Sequence, residues 1–270
     1  MQPFDFDVFL ADHPVFSLRQ LAAARGEEKN QDAARNQLKH HLATGRIKAV
    51  ARGVYALVPP GLDAQRYLPD PFLVAQAARP NGIFAYHSAL ELLGAAHSVW
   101  HECTLHCDRR REPIEIGPTR ILFLATPKPL ARGKLQTIGT RPVAHQVRHL
   151  VTTGPERTLV EGFRRPHRVG GLEELLESIP SFATMDFDVL RQVLVAYDER
   201  TLWAVVGWLA ERYSEQWSTP ARFLDLCRQR GLRQNQYLVR GLRGGRLVSG
   251  WNLIVPETLV NAAEDHAANS

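Results

Sequence analysis

The sequence predicts an α+β fold, with a small N-terminal unit of three helices and a β-hairpin followed by a larger mixed α/β domain. Three observations predict it. Cap signals and apolar residues at helical spacing recur three times before residue 45. Two short runs, RIKAV and VYALV, flank the turn residues Ala51-Arg52-Gly53 and read as paired strands. After Pro59-Pro60-Gly61, short strand-like runs come first and long helical patterns follow.

Each element has a local reason. The first helix runs from about Phe4 to Asp12 with Phe6, Phe9 and Leu10 on one face, and His13-Pro14 stops it. Ser17-Leu18-Arg19-Gln20 is a capping box, in which hydroxyl and amide satisfy the orphan N–H groups of a new helix. That helix turns Leu18 and Leu21 inward and ends at Gly26. A third helix starts near Asn30 and ends before Gly45. Three helices and a hairpin in fewer than 60 residues is the order of a winged helix-turn-helix. We assign residues 1–60 to that domain, 61–70 to a linker, 71–262 to the α+β domain and 263–270 to a frayed tail.

In the larger domain Asp70-Pro71 starts a helix with Pro at its first position, and a second spans about His87 to Leu93. Trp100–Cys107, Arg120–Ala125 and Pro142–Leu150 read as strands. Thr153-Gly-Pro-Glu156 and Gly170-Gly171 open helices, and Asp186, Asp198 and Ser218 or Thr219 stand where further helices are expected to start.

Composition narrows the function classes. Of 270 residues 44% are hydrophobic and 23% charged, ordinary values for a folded water-soluble protein. No apolar run approaches the roughly 20 residues of a spanning helix, so no membrane partner is expected. The N-terminus carries acids where a signal peptide carries positive charge, and three Cys build no disulfide framework; both point to the cytoplasm. Net charge is +5, with pI near 9.3. Between residues 29 and 58 six Lys and Arg face Asp32 alone, a stretch suited to an acidic partner.

That stretch contains the third helix. On a helical wheel Gln31, Ala34, Leu38 and Leu42 gather on one side, with Ala33, Asn36, His40 and Ala43 opposite. Asn and Gln match adenine edges, Ala meets a thymine methyl, and Lys and Arg neutralise phosphates. The candidate DNA contacts are therefore Lys29, Arg35, Asn36, Gln37, Lys39, His40, Lys48 and, at the hairpin tip, Arg52.

The order LRQLAAARG, then NQLKHHLATGRIKAVARGVYAL, is similar to the N-terminal winged helix of the AbiEi family of antitoxins. SALELLG, TTGPERTLVEGF, VGGLEELLES, TLWAVVGWLAERY and WNLIV resemble successive blocks of that family's C-terminal domain, in its order, with Glu161 where the family more often has Asp. The resemblance implies a non-enzymatic autorepressor and antitoxin of a type IV toxin–antitoxin operon. Its winged helix would bind inverted repeats in its own promoter as duplex DNA. Its larger domain would oppose a nucleotidyltransferase-like toxin, and stable contact with that toxin is not required.

Other chemistries are weaker. His101, Cys103, His106 and Cys107 are zinc-ligand types, but a strand sends His106 to the other side and no second doublet exists, so a half-buried strand is expected and no metal. Asp108, Glu112 and Glu115 suggest a nuclease, the alternative reading of the chain, but no Lys follows two residues after any of them, and the nearest is Lys128. Ser88 lacks a nucleophile elbow, and Gly241–Gly245 lacks the Lys of a phosphate loop, so no cofactor is expected. Glu156 and Arg157 read as structural. Arg228, Arg230, Arg233, Arg240, Arg243 and Arg246, with Gln234, Asn235, Gln236 and Tyr237 among them and no acid, form a possible second nucleic-acid surface.

Overall fold

The computed structural model describes residues 4–27, 31–238 and 244–257. It is an α+β structure whose chain divides into two compact units interleaved along the sequence. One comprises residues 1–84, 101–125 and 142–151; the other comprises 85–100, 126–141 and 152–270.

The first unit begins with α1 (Phe6–Asp12), whose Asp5 side chain accepts from the Asp7 and Val8 N–H groups. A short strand β1 (Val15–Ser17), absent from the sequence reading, precedes α2 (Leu18–Ala24), which Ser17 and Gln20 cap reciprocally. Next come α3 (Asp32–Ala43) and the hairpin of β2 (Ile47–Ala51) and β3 (Val54–Leu57). The three strands form an antiparallel sheet in the order β1-β3-β2. Phe6, Phe9, Leu10, Phe16, Leu21, Ala34, Leu38 and Ile47 close one apolar core beneath α3. Leu42, expected inside, is 37% exposed; the buried residues of α3 are Ala34 and Leu38. The expected cap Asn30 lies outside the described residues, and Gln31 at the N-cap makes no side-chain bond to the helix.

Helix α4 (Pro71–Ala78) starts where Asp70 Oδ1 accepts from Leu73 N at 3.0 Å. Phe72, Leu73, Val74, Ala75 and Ala77 are buried, and the helix packs against both β1 and β3. It also packs on the larger sheet, formed by β4 (Ile83–Phe84), β5 (Glu102–Cys107), β6 (Ile114–Ile116), β7 (Thr119–Ala125), β8 (Thr140–His145) and β9 (Arg148–Thr153). Its order is β6-β7-β5-β4-β9-β8. The strand expected over Pro142–Leu150 is thus two strands, reversed at Gln146 with φ +51°. The expectation of a half-buried strand at 100–107 needs correction. Flanked by β4 and β7, β5 buries Cys103, Leu105 and Cys107 on one face and Thr104 and His106 on the other.

The second unit is mainly helical: α5 (His87–Leu92), α6 (Lys128–Arg132), α7 (Pro155–Arg164), α8 (Leu172–Ser178), α9 (Phe187–Tyr197), α10 (Arg200–Arg212), α11 (Ser214–Trp217) and α12 (Ala221–Arg230). Asp186 caps α9 as expected. Asp198 and Ser218 instead end helices, in the left-handed conformation at φ +50° and +51°, which their short polar side chains tolerate. Every residue from Leu202 to Ala210 of α10 is buried, between α7 and α12. Gly207 is obligatory there: a Cβ would lie 2.2 Å from the Trp251 ring. Glu156 and Arg157 are structural. The Glu156 Oε1 accepts from Asp186 N at 2.9 Å, and Arg157 Nη1 donates to the carbonyls of Gln136 and Ile138 at 2.6 and 3.1 Å. The chain then forms β10 (Gln236–Tyr237), β11 (Arg246–Val248) and β12 (Leu253–Val255), a sheet with β12 in the middle.

Candidate nucleic-acid interface

Helix α3 is anchored by Ala34 and Leu38, which are 0% and 2% exposed. With that side fixed, Ala33, Arg35, Asn36, Lys39, His40 and Ala43 all reach solvent. Their polar groups are ordered by short local bonds. Arg35 Nη1 donates to Asp32 Oδ1 at 3.1 Å, and Lys39 Nζ donates to Asn36 Oδ1 at 3.0 Å. Both bonds are exposed, so each is worth little and is readily exchanged for a bond to another partner. Arg52 is exposed at the hairpin tip, where Gly53 has φ +72° and lets the two strands close with so short a turn.

Two expected contacts are engaged within the fold. The amide oxygen of Gln37 accepts from Arg25 Nη1 at 2.7 Å, and Lys48 Nζ donates to the Tyr67 carbonyl at 2.8 Å. Gln37 thereby joins α3 to the end of α2, and Lys48 fastens the segment before α4 to β2. Lys29 lies outside the described residues. Sequence reasoning missed Arg25 as a positioning residue. It is held by Glu27 through Nε at 2.9 Å and lies over the Phe4 ring at 5.3 Å. It also missed Arg46, which pairs with Asp7 and so ties the start of the hairpin to α1.

Histidine enters the same framework. His41 stacks on Phe6 with ring centres 4.6 Å apart. Its burial, then the neighbouring charges of Arg46 and His40, hold its pKa below the ordinary value. His40 is exposed on the outward face.

Among the six C-terminal arginines Arg228 has a structural role: it pairs with Glu211 and Asp225 and lies over the Trp251 ring at 5.0 Å. Arg230, Arg233 and Arg246 are exposed, and Arg240 and Arg243 lie outside the described residues. Among the described residues no group of three or more His, Cys, Asp or Glu is placed to hold a metal ion, and no helix is long and apolar enough to cross a membrane.

No family model matches the chain. No curated protein matches it either. A solved structure does share its fold: the crystal structure of the RV2827C protein from Mycobacterium tuberculosis. The likeness covers 96% of this chain and 92% of that one, with a TM-score of 0.60 at 18% identity.

Proposed function

We propose that the chain is a sequence-specific DNA-binding autorepressor and the antitoxin of a type IV toxin–antitoxin operon, acting without catalysis against a nucleotidyltransferase-like toxin in the cytoplasm. The observation that carries the DNA half is the outward face of α3. Asn36 and His40 lie there beside Arg35 and Lys39, followed by a hairpin tipped with Arg52, on a three-helix, three-strand frame that reads as a winged helix. In this reading α3 enters the major groove, Asn36 and His40 meet base edges, and Arg35, Lys39 and Arg52 hold phosphates. The antitoxin half is supported by the ordered blocks from SALELLG to WNLIV that are similar to AbiEi antitoxins.

The test has two arms. The intact protein should shift labelled duplex from upstream of its own gene at low salt, and binding should fall steeply as salt rises. It should also restore growth to cells expressing a nucleotidyltransferase-like protein encoded beside it. No shift removes the DNA reading, and no rescue removes the antitoxin reading.

A further inference from the structure

The small C-terminal sheet has two unlike faces. Leu253 and Val255 of β12 are both fully buried, and β12 packs against α10. Ile254 between them therefore points outward, since successive strand residues alternate. The register places Tyr237 of β10 and Leu247 of β11 beside Ile254, one on each flank. Side chains in register share a face. The outer face thus presents a row of Tyr237, Ile254 and Leu247, with Tyr237 42% and Leu247 44% exposed.

The sequence leading into and through this sheet is rich in arginine. From Leu226 to Pro256 the sequence has six arginines and no acid. Arg230, in the last turn of α12, and Arg233 are exposed, and neither has an acidic partner among the described residues. Of the acids flanking this stretch, Glu211 and Asp225 are both paired with Arg228, and Glu257, exposed, stands just beyond β12. Two amides, Gln234 and Asn235, stand just before β10 and are exposed, whereas Gln236, in register with Leu253, falls on the opposite face from Tyr237.

We propose that this outer face binds single-stranded RNA. An exposed aromatic ring on a sheet offers a platform on which an unpaired base stacks. The apolar Ile254 and Leu247 extend that platform across the strands, and Arg230 and Arg233 supply the charge that tracks a phosphate backbone. Amide side chains both donate and accept, which suits a ribose 2′-hydroxyl. A duplex fits poorly, because its bases are stacked on one another and offer the ring no open face. The assignment is independent of promoter binding, which uses α3 and Arg52.

The experiment measures anisotropy of a labelled, unstructured RNA of mixed sequence with the intact chain at low salt. DNA of the same sequence, single-stranded and duplex, is measured in parallel. RNA should bind more tightly than single-stranded DNA. The pair Arg230→Ala and Arg233→Ala should weaken RNA binding on the order of tenfold and reduce the salt slope by roughly 1.4. Tyr237→Ala should weaken it roughly five- to a hundredfold, while Tyr237→Phe, which keeps the ring face, should bind like wild type. Arg52→Ala should leave RNA binding unchanged. Circular dichroism and urea melts confirm that each variant is folded. Absence of RNA binding, equal affinity for single-stranded DNA, wild-type binding by folded Tyr237→Ala, or equal losses in Tyr237→Ala and Tyr237→Phe would each overturn the assignment.

Discussion

Arg25, at the end of α2, donates through Nη1 to the amide oxygen of Gln37 on α3 at 2.7 Å. The bond joins the two helices whose relative angle sets how α3 is presented. Gln37→Ala removes a charge-assisted hydrogen bond from a part-buried site, a loss of about 1.5–3 kcal/mol in stability. It should weaken operator and random duplex equally. Asn36→Ala should instead leave the urea midpoint unchanged and reduce preference for the operator by about 1–3 kcal/mol. Melts and competition binding on the two variants separate the roles; the reverse pattern would exchange them.

The exposed cations make a salt prediction. Lys39→Ala and Arg52→Ala should each weaken all duplex sequences about equally and reduce the slope of log K against log salt by roughly 0.9. Lys48→Ala should leave that slope unchanged, because its ammonium, though still charged, is held on β2 at the Tyr67 carbonyl and away from α3. Titrations at four or five salt concentrations decide, and a lowered slope for Lys48→Ala would place it on phosphate instead.

Stability of the N-terminal unit should decline in mild acid. Burial, then the charge of Arg148, lowers the pKa of His13, as burial and Arg46 lower that of His41. Each ring is favoured neutral in the fold, so below pH 6.5 the unfolded chain takes up protons the native state refuses. The stability is fully present above the ordinary histidine pKa and is lost as pH falls through the lowered values. Asp70 acts in a separate, more acidic window. Burial opposes its ionisation, but bonds from His145 and from the Leu73 N–H hold its pKa below the ordinary carboxylate value, so its contribution is lost as pH falls through that value. The urea midpoint should drop between pH 7.5 and 5.5, and His41→Phe, which keeps the stack on Phe6, should shrink the drop. A midpoint independent of pH would refute this.

A carboxylate inside the second unit carries the largest expected loss. Glu161 Oε1 accepts from Arg157 Nε at 2.7 Å and from the Tyr197 hydroxyl at 2.6 Å, with Arg157 and Glu161 both almost wholly buried. Burial and the carboxylate push the Tyr197 hydroxyl pKa far up. Glu161→Ala leaves the guanidinium without its carboxylate and should cost about 3–5 kcal/mol. Tyr197→Phe should cost less, about 1.5–3 kcal/mol. Glu161→Asp, a methylene shorter, should fall between wild type and Glu161→Ala in thermal melts.

What could be read from sequence was what is decided within four or five residues. Ser17 with Gln20, Asp70 with Pro71, and Asp186 announced their helices because a cap and its N–H groups are chain neighbours. β1 was invisible: three residues are too few for alternation to register, and its partner β3 is forty residues away. The two-faced burial of β5 depends on β4 and β7, which local pattern does not contain. In the candidate site, exposure of Asn36, Lys39, His40 and Arg52 followed from helical phase and turn position. The engagement of Gln37 and Lys48 did not, because Arg25 and Tyr67 lie 12 and 19 positions away.

The interleaving of the two units has a consequence in time. A ribosome adds about 5–20 residues per second, so the first 60 residues emerge well before their surroundings exist. Helix α4, which covers β1 and β3, follows soon after. The strands completing that unit reach only to residue 151, and two excursions into the other unit come first. The residues carrying α3, which ends at Ala43, therefore wait roughly 5–22 s for synthesis to reach residue 151, the end of their unit. Residues 85–100 wait longer still, since the helices around them are made last. A nascent chain stalled before residue 140 would carry α3 and the complete β1-β3-β2 sheet while the six-stranded sheet still lacked β8 and β9, leaving that larger sheet in reach of proteases and chaperones.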